Sequence, residues 1–305
     1  MKRWVVWGLV LCLLGLPLAA QATERGLASY PDGAENFFAG ALPPPGFYFQ
    51  YYFLGYDAWH FRGLKTFHLP PDTHAEVIAN VFRFIYISKF QIFGASWGCQ
   101  VVMPLIYAGF HLQPVPPGVH ASDYQFGLGN TSLDPLLLGW HFAQGVYHVT
   151  FGFDIDLPGT YHRTFTASPS QNYFTFRPVL GLGWTPKCGL GANIKLMYDF
   201  PTRNDSPILA RDSYQSGQAF HFDYCVDYAL LKNLRIGAAG FYYVQTTADN
   251  VDGHKIGNHA RQFAVGPAVK FDYQRWSFMF IPEFEMATLN RPEGIRYWGR
   301  VWYAF

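Results

Sequence analysis

Charge is scarce in this chain of 305 residues: Lys, Arg, Asp and Glu supply 14% of it, half of it is hydrophobic and 19% is aromatic. An average soluble domain carries roughly 25% charged residues, so much of this surface faces something other than water. Charge of one sign is lacking as well, with 22 basic against 21 acidic residues. That balance excludes a polyanion-binding surface, and nucleic acid is not an expected partner. After residue 22 no uninterrupted apolar run reaches the roughly 18 to 20 residues that a membrane-crossing helix needs, which excludes a helical membrane protein. Cysteine is sparse. Cys12 falls in the apolar leader, and Cys99, Cys188 and Cys225 are odd in number with no CxxC spacing, which argues against a disulfide framework and leaves either one bridge or three free thiols. Catalytic signatures are missing too: no phosphate loop, EF-hand or HExxH occurs. Gly94-Ala-Ser96-Trp-Gly98 matches GxSxG, but that motif works only between a strand and a helix, and here it falls in a short turn between two strand-like segments. No catalytic residue, bound metal or cofactor is expected.

The chain opens with MKR, continues with the apolar run WVVWGLVLCLLGLPLAA and reaches Ala20-Gln-Ala22, a small-x-small site. This is the pattern of a cleavable secretory signal over residues 1–22, with the mature chain beginning at Thr23. Without Lys2 and Arg3 the mature net charge is close to −1.

Beyond the leader, one theme repeats: a segment of ten or more residues with period 2, a turn, and another such segment. In 220–230 the even positions Phe220, Phe222, Tyr224, Val226, Tyr228 and Leu230 are apolar, whereas the odd ones are His221, Asp223, Cys225, Asp227 and Ala229. The same separation holds over 190–200, 263–273 and 276–286. It predicts strands over 46–61, 76–89, 97–112, 128–141, 147–158, 172–185, 189–201, 218–231, 234–247, 261–274, 276–288 and 294–305. Long joins, at 62–75, 113–127, 159–171, 202–217, 248–260 and the shortest at 289–293, alternate with short ones.

Alternation alone fits a soluble sandwich equally well, with its greasy face inward. Three features select the inverted arrangement. The segments are long enough to cross a bilayer at a tilt, which takes roughly 9 to 11 residues, aromatics recur near their ends, and long and short joins alternate. Backbone groups in lipid must pair among themselves, so the expected fold is all-β: a transmembrane antiparallel up-and-down β-barrel of about twelve strands over 46–305. Residues 23–45 are expected to form a periplasmic N-terminal segment.

On this parity the lumen carries Asp154, Asp156, Arg177, Lys195, Asp199, Asp223, Asp227, Arg235, Lys270, Asp272, Glu283, Glu285, Arg296 and Arg300, eight acids and six bases. A strongly one-signed pore would select an opposite ion. Mixed signs fit either cross-pairing that stiffens the wall or the lining of a substrate path. His221 beside Asp223 and Asp227 fits interior hydrogen bonding better than a metal site. Pro43-Pro44-Pro45 is a stiff, extended element that cannot join a ladder. It either sets the entry angle of the first strand or, with Phe37 and Phe38, folds back as a plug.

The segments YPDGAENFFAGALPPPGFYF (30–49), SGQAFHFDY (216–224), VGPAVKFDYQRWS (265–277) and NRPEG (290–294) resemble the SphA or phenol meta-pathway outer-membrane family over nearly all of the mature chain. The final strand, IRYWGRVWYAF, ends on Phe305 and resembles the C-terminal signal by which outer-membrane barrels are recognised for assembly. These resemblances imply a bacterial outer-membrane location, contact with outer-membrane lipid and the barrel assembly machinery, and a role linked to aromatic degradation. The expected function is a passive channel for small hydrophobic or aromatic compounds. The alternatives are a closed or structural barrel and a lipid-acting barrel enzyme, the latter needing a rim cluster such as Ser/His that the chain does not assemble.

Overall fold

A computed structural model describes Glu24 and residues 28–62, 73–112, 121–163, 167–207, 212–257 and 259–305. The leader over 1–22 lies outside the described residues. Strands β1 (Gly46–Arg62), β2 (His74–Ile92), β3 (Ala95–Leu112), β4 (Ala121–Leu128), β5 (Thr131–Phe142), β6 (Tyr147–Leu157), β7 (Thr175–Trp184) and β8 (Leu190–Pro201) form the first part of the chain. They are followed by β9 (Tyr214–Gln215), β10 (Ala219–Leu231), β11 (Leu234–Gln245), β12 (Asp249–Val251), β13 (His254–Ile256), β14 (Arg261–Tyr273), β15 (Trp276–Leu289) and β16 (Arg291–Ala304). Each long strand pairs antiparallel with its chain neighbour. β1 also pairs with β16, from Tyr48 opposite Ala304 to Arg62 opposite Arg291. That last ladder closes a barrel of twelve strands in which β4 and β5 share one position, both lying against β3.

Period 2 survives closure because each side chain must choose between lipid and lumen. On β10 the outward Val226 and Tyr228 are 57% and 47% exposed while the inward His221, Asp223 and Cys225 are fully buried. The apolar face is therefore the outer one. Exposed aromatics gather at the short turns, among them Phe93, Phe142, Tyr147, Trp184, Tyr273, Trp276 and Phe305, while Phe126, Phe174 and Phe200 lie at the opposite end. A closed barrel with an apolar outer band and aromatic belts is an outer-membrane barrel, with short turns toward the periplasm and long connections outside.

Several boundaries differ from the sequence-based expectation. Residues 121–127, expected within a long join, are strand, and they extend β3's partner beyond the barrel wall to an interruption at Gly129 and Asn130. The strand expected to begin at 128 begins instead at Thr131. The 289–293 join tightens to Asn290, whose φ of 54° reverses the chain between β15 and β16. The long joins 202–217 and 248–260 contain β9, β12 and β13, which pair into a small sheet of their own. The three cysteines are unbridged. Ser96 is an ordinary β3 residue, paired opposite Gln91 and Gly139, with no helix after it.

Phe305 projects past the end of β16: it is 72% exposed, its N–H donates to the Phe47 carbonyl at 3.2 Å, and its ring packs edge-on to Tyr303. The side chain is therefore exposed at the turn end of the barrel. Deleting Phe305 is expected to lower the yield of heat-modifiable barrel several-fold, measured by semi-native electrophoresis of outer membranes. Unchanged yield would make it an ordinary strand residue.

Candidate functional site

The described residues before β1 run up the barrel interior, with Phe37 in the interior core and Phe38 under cations of the wall. Glycine makes the close approaches. Gly33 has φ +85°, and a Cβ there would lie 2.0 Å from the Glu283 carboxylate; a Cβ on Gly40 would lie 2.2 Å from the Leu182 carbonyl carbon on β7. Glu24 lies at the long-connection end, where its N–H donates to Ser216 Oγ at 3.2 Å and its carboxylate accepts from Asn204 and Tyr161. Pro44 lies at the other end, its carbonyl accepting from Tyr48 Oη at 2.6 Å.

Between these ends the segment is clamped by charge. Asp32, wholly buried, sits 2.9 Å from His221 Nδ1 on β10 and 3.0 Å from Arg291 Nη2 on β16, while its carbonyl accepts from Arg296. Burial would raise this carboxyl, but Arg291, His221 and Arg296 outweigh it and hold the group below the usual carboxylate range. Asp223 on β10 accepts from Tyr30 Oη, Gly33 N–H and Glu35 N–H at 2.7, 2.7 and 3.0 Å. Glu35 receives Arg83 from β2 and Arg300 from β16, together with Tyr52 Oη. Phe37 is buried in a cluster with Tyr52, Ile281 and Trp298, and Phe38 lies under Arg235 and Lys270 at 5.4 and 5.3 Å.

The remaining inward charges pair across the wall. Arg177, wholly buried on β7, reaches Asp156 and Asp199 at 2.6 Å and Asp154 at 3.6 Å. Arg296 reaches Glu285 at 2.6 Å, Arg235 pairs with Asp227, and Lys270 pairs with Asp272. Glu283 is buried against Gly33 with no hydrogen-bond partner among the described residues. His221 lies between Asp32 and Asp199.

Among the described residues, two cavities of the interior flank the segment. The outer one, of about 200 Å³, has an apolar wall from inward residues of β1 to β3, including Leu54, Val77, Val81, Val102 and Ile106. It is bounded elsewhere by Tyr30, Arg177, Arg296 and Trp298. A smaller one, of about 50 Å³, lies toward the turns beside Phe37, Phe38 and Leu42. Five residues line both: Glu35, Arg83, Gln100, Asp154 and Lys195. They form a charged neck in which Arg83 also donates to Gln100 at 2.9 Å and to Tyr52 at 2.8 Å. The sequence reading placed Asp154 and Lys195 in the lumen but missed Glu35, Arg83, Gln100 and the apolar inner wall.

The chain matches the family described as "MetA-pathway of phenol degradation" over residues 61–301. It belongs to that family. No curated protein matches it. Among solved structures, the COG4313 outer membrane channel from Pseudomonas putida F1 is similar, with a TM-score of 0.75 and 11% identity over 87% of this chain and 97% of that one. That likeness shows the shared fold. The translocator domain of the autotransporter NalP from Neisseria meningitidis (TM-score 0.47, 10% identity, 86% of this chain and 90% of that one) is more distant. So is the CymD monoaromatic hydrocarbon channel (TM-score 0.43, 7% identity, 86% of this chain and 89% of that one).

Protonation of the clamp sets a pH dependence for this family member. Burial raises the Glu35 carboxyl, yet Arg83, Arg300 and Lys195 bring it from its ordinary 4.5 down to about 2. A depressed pKa means that this contribution to docking is complete above pH 4.5 and is lost as pH falls toward 2, by about 3 kcal/mol for such a shift. Single-channel recordings are expected to show the rise of a larger conductance between pH 4.5 and 2.5. A constant conductance across that window would show that Glu35 does not hold the segment.

Proposed function

We propose that this barrel is a passive conduit for small hydrophobic solutes of about one aromatic ring, gated by residues 28–45. The observation that carries the reading is the apolar inner wall of β1 to β3 facing a cavity of about 200 Å³. Outer-membrane lumens are ordinarily polar, so an apolar face turned inward gains nothing from lipid and is suited to an apolar guest. Apolar cavities of about 150 Å³ accept benzene. Membership of a phenol-degradation family supports the same solute class, and so does the barrel shared with an outer membrane channel. The interior charges are largely consumed in holding the wall and the segment, so no ion-selective pathway competes with this reading.

The test uses purified protein in vesicles with a lipopolysaccharide outer leaflet, which phenol crosses slowly unaided. Phenol uptake is expected to be several-fold faster with protein than without, and Ile106→Asp, which charges the apolar wall, is expected to remove most of that gain. Equal uptake in protein-free vesicles would end the conduit reading in favour of a closed structural barrel.

A further inference from the structure

The conduit reading leaves the Lys195 side chain unexplained. Every inward arginine described above has a carboxylate against it, and Lys270 has Asp272. Lys195 differs. It projects from β8, is 9% exposed, and forms no ion pair with a carboxylate among the described residues. Asp223, directly opposite Lys195 in the β8–β10 register, accepts instead from Tyr30 Oη, Gly33 N–H and Glu35 N–H, and Asp154, Asp156 and Asp199 are gathered by Arg177. The Lys195 ammonium instead lies 4.8 Å over the Tyr30 ring. The cation has a π face beneath it and meets Glu35 only at longer range, without a direct carboxylate contact, so part of its desolvation cost stays unanswered. Lys195 also lines both cavities, so its free hydrogen-bonding capacity faces the neck rather than the packed wall.

Across the same outer cavity stand Val81, Val102 and Ile106, with no charge among them. A guest that satisfied both sides would be flat or compact, apolar at one end and singly negative at the other. We propose that the outer cavity is a binding site for arene monoanions such as aromatic carboxylates, with Lys195 as the anchor for the anionic group and the apolar wall as the bed for the ring. A charge-assisted contact to an ammonium is roughly twice as strong as a neutral one, which gives the site a preference within the solute class of the conduit reading, on which this inference rests. Arg83 cannot serve as the anchor, because Glu35, Gln100 and Tyr52 already occupy its guanidinium. The anchor also sits beside the internal segment: Tyr30, the ring beneath Lys195, is held by Asp223. An arriving carboxylate therefore engages the neck at the point where the segment closes it.

The experiment compares uptake of benzoate at pH 8, phenol and benzylamine into lipopolysaccharide-faced vesicles carrying the wild type, Lys195→Met or Lys195→Arg. Wild-type protein is expected to pass benzoate saturably and ahead of benzylamine. In Lys195→Met the benzoate-to-phenol rate ratio is expected to fall about tenfold, and Lys195→Arg to recover most of it. Calorimetric titration of benzoate into detergent-solubilised protein should show binding in the wild type that the methionine variant loses, with heat-modifiable mobility confirming that both barrels are folded. If phenol enters but the ratio is the same in all three proteins, the anchor is overturned while the conduit stands. Failure of both solutes to enter the wild type would overturn the conduit itself.

Discussion

Deletion of residues 30–42 is expected to raise single-channel conductance by an order of magnitude, turning two small cavities into one continuous lumen. The segment holds Phe37 in the interior core and Phe38 under two cations, and its Asp32 and Glu35 occupy His221, Arg83, Arg291 and Arg300. Removing it takes this bulk out and frees those cations, so the widened pore is also expected to favour anions. A point change tests the same idea without shortening the chain. Gly33→Val puts a branched side chain at φ +85°, where non-glycine residues are strained, and within 2.0 Å of Glu283. It is expected to undock the segment locally and to show frequent openings to the deletion's conductance level. Recordings in which both variants stay as closed as the wild type would mean that loops, rather than residues 28–45, close the barrel.

The second large effect concerns Arg177. Its guanidinium is wholly buried and collects Asp154, Asp156 and Asp199 from the two strands that flank β7, with Asp154 directly opposite in the β6–β7 register. Taking out one partner of a buried ionic cluster leaves charges uncompensated, a loss of about 3 to 5 kcal/mol. Arg177→Met is therefore expected to lower the temperature at which the folded band converts to the unfolded one by ten degrees or more. Lys at the same position should recover part of the loss, because one ammonium cannot reproduce the fork that meets three carboxylates. A melting temperature within two degrees of the wild type would show that the acids are neutral or water-filled and that Arg177 is not their organiser.

The barrel was legible in the sequence wherever its two faces differ in polarity. On β10, β8 and β14 one register of alternation separates acids and bases from aromatics, so strand, facing and lumen membership all follow from the order of residues. On β2 and β3 that contrast disappears: in VVMPLIYAGF (101–110) Val102, Pro104, Ile106 and Ala108 turn inward and Val101, Met103, Leu105 and Tyr107 turn outward. Apolar residues on both faces are the mark of a strand covered on both sides. That run was the available signal for an apolar cavity, but it is silent about what covers the inner face. Pairing was less legible still. Arg177 was visible as an interior charge, yet nothing in a linear chain says that three aspartates on β6 and β8 converge on it, because that convergence depends on register.

The N-terminal segment shows a different limit. Its prolines announce a stiff element and hide the acids that anchor it. Asp32 and Glu35 lie in no periodic pattern, and their partners are more than 40 residues away, at Arg83, His221, Arg291 and Arg300. Burial of a non-periodic segment inside a barrel is a tertiary fact, fixed by complementarity with walls that come later in the chain.

Twelve strands return a chain to the side from which it set out, which is why barrels with an even count keep both ends in the periplasm. Here Glu24 and residues 28–46 mark a thirteenth passage, made through the lumen rather than in the wall. Fully extended it could reach about 70 Å, ample for a hydrocarbon layer of about 30 Å. Glu24, bonded to Ser216 and Asn204 among the outer connections, and Phe305, beside Phe47 at the turns, thus stand on opposite sides of the outer membrane. A strand count would put an epitope just ahead of Glu24 inside the cell envelope, whereas intact cells should display it to antibody, and an epitope after Phe305 should remain hidden until the membrane is breached.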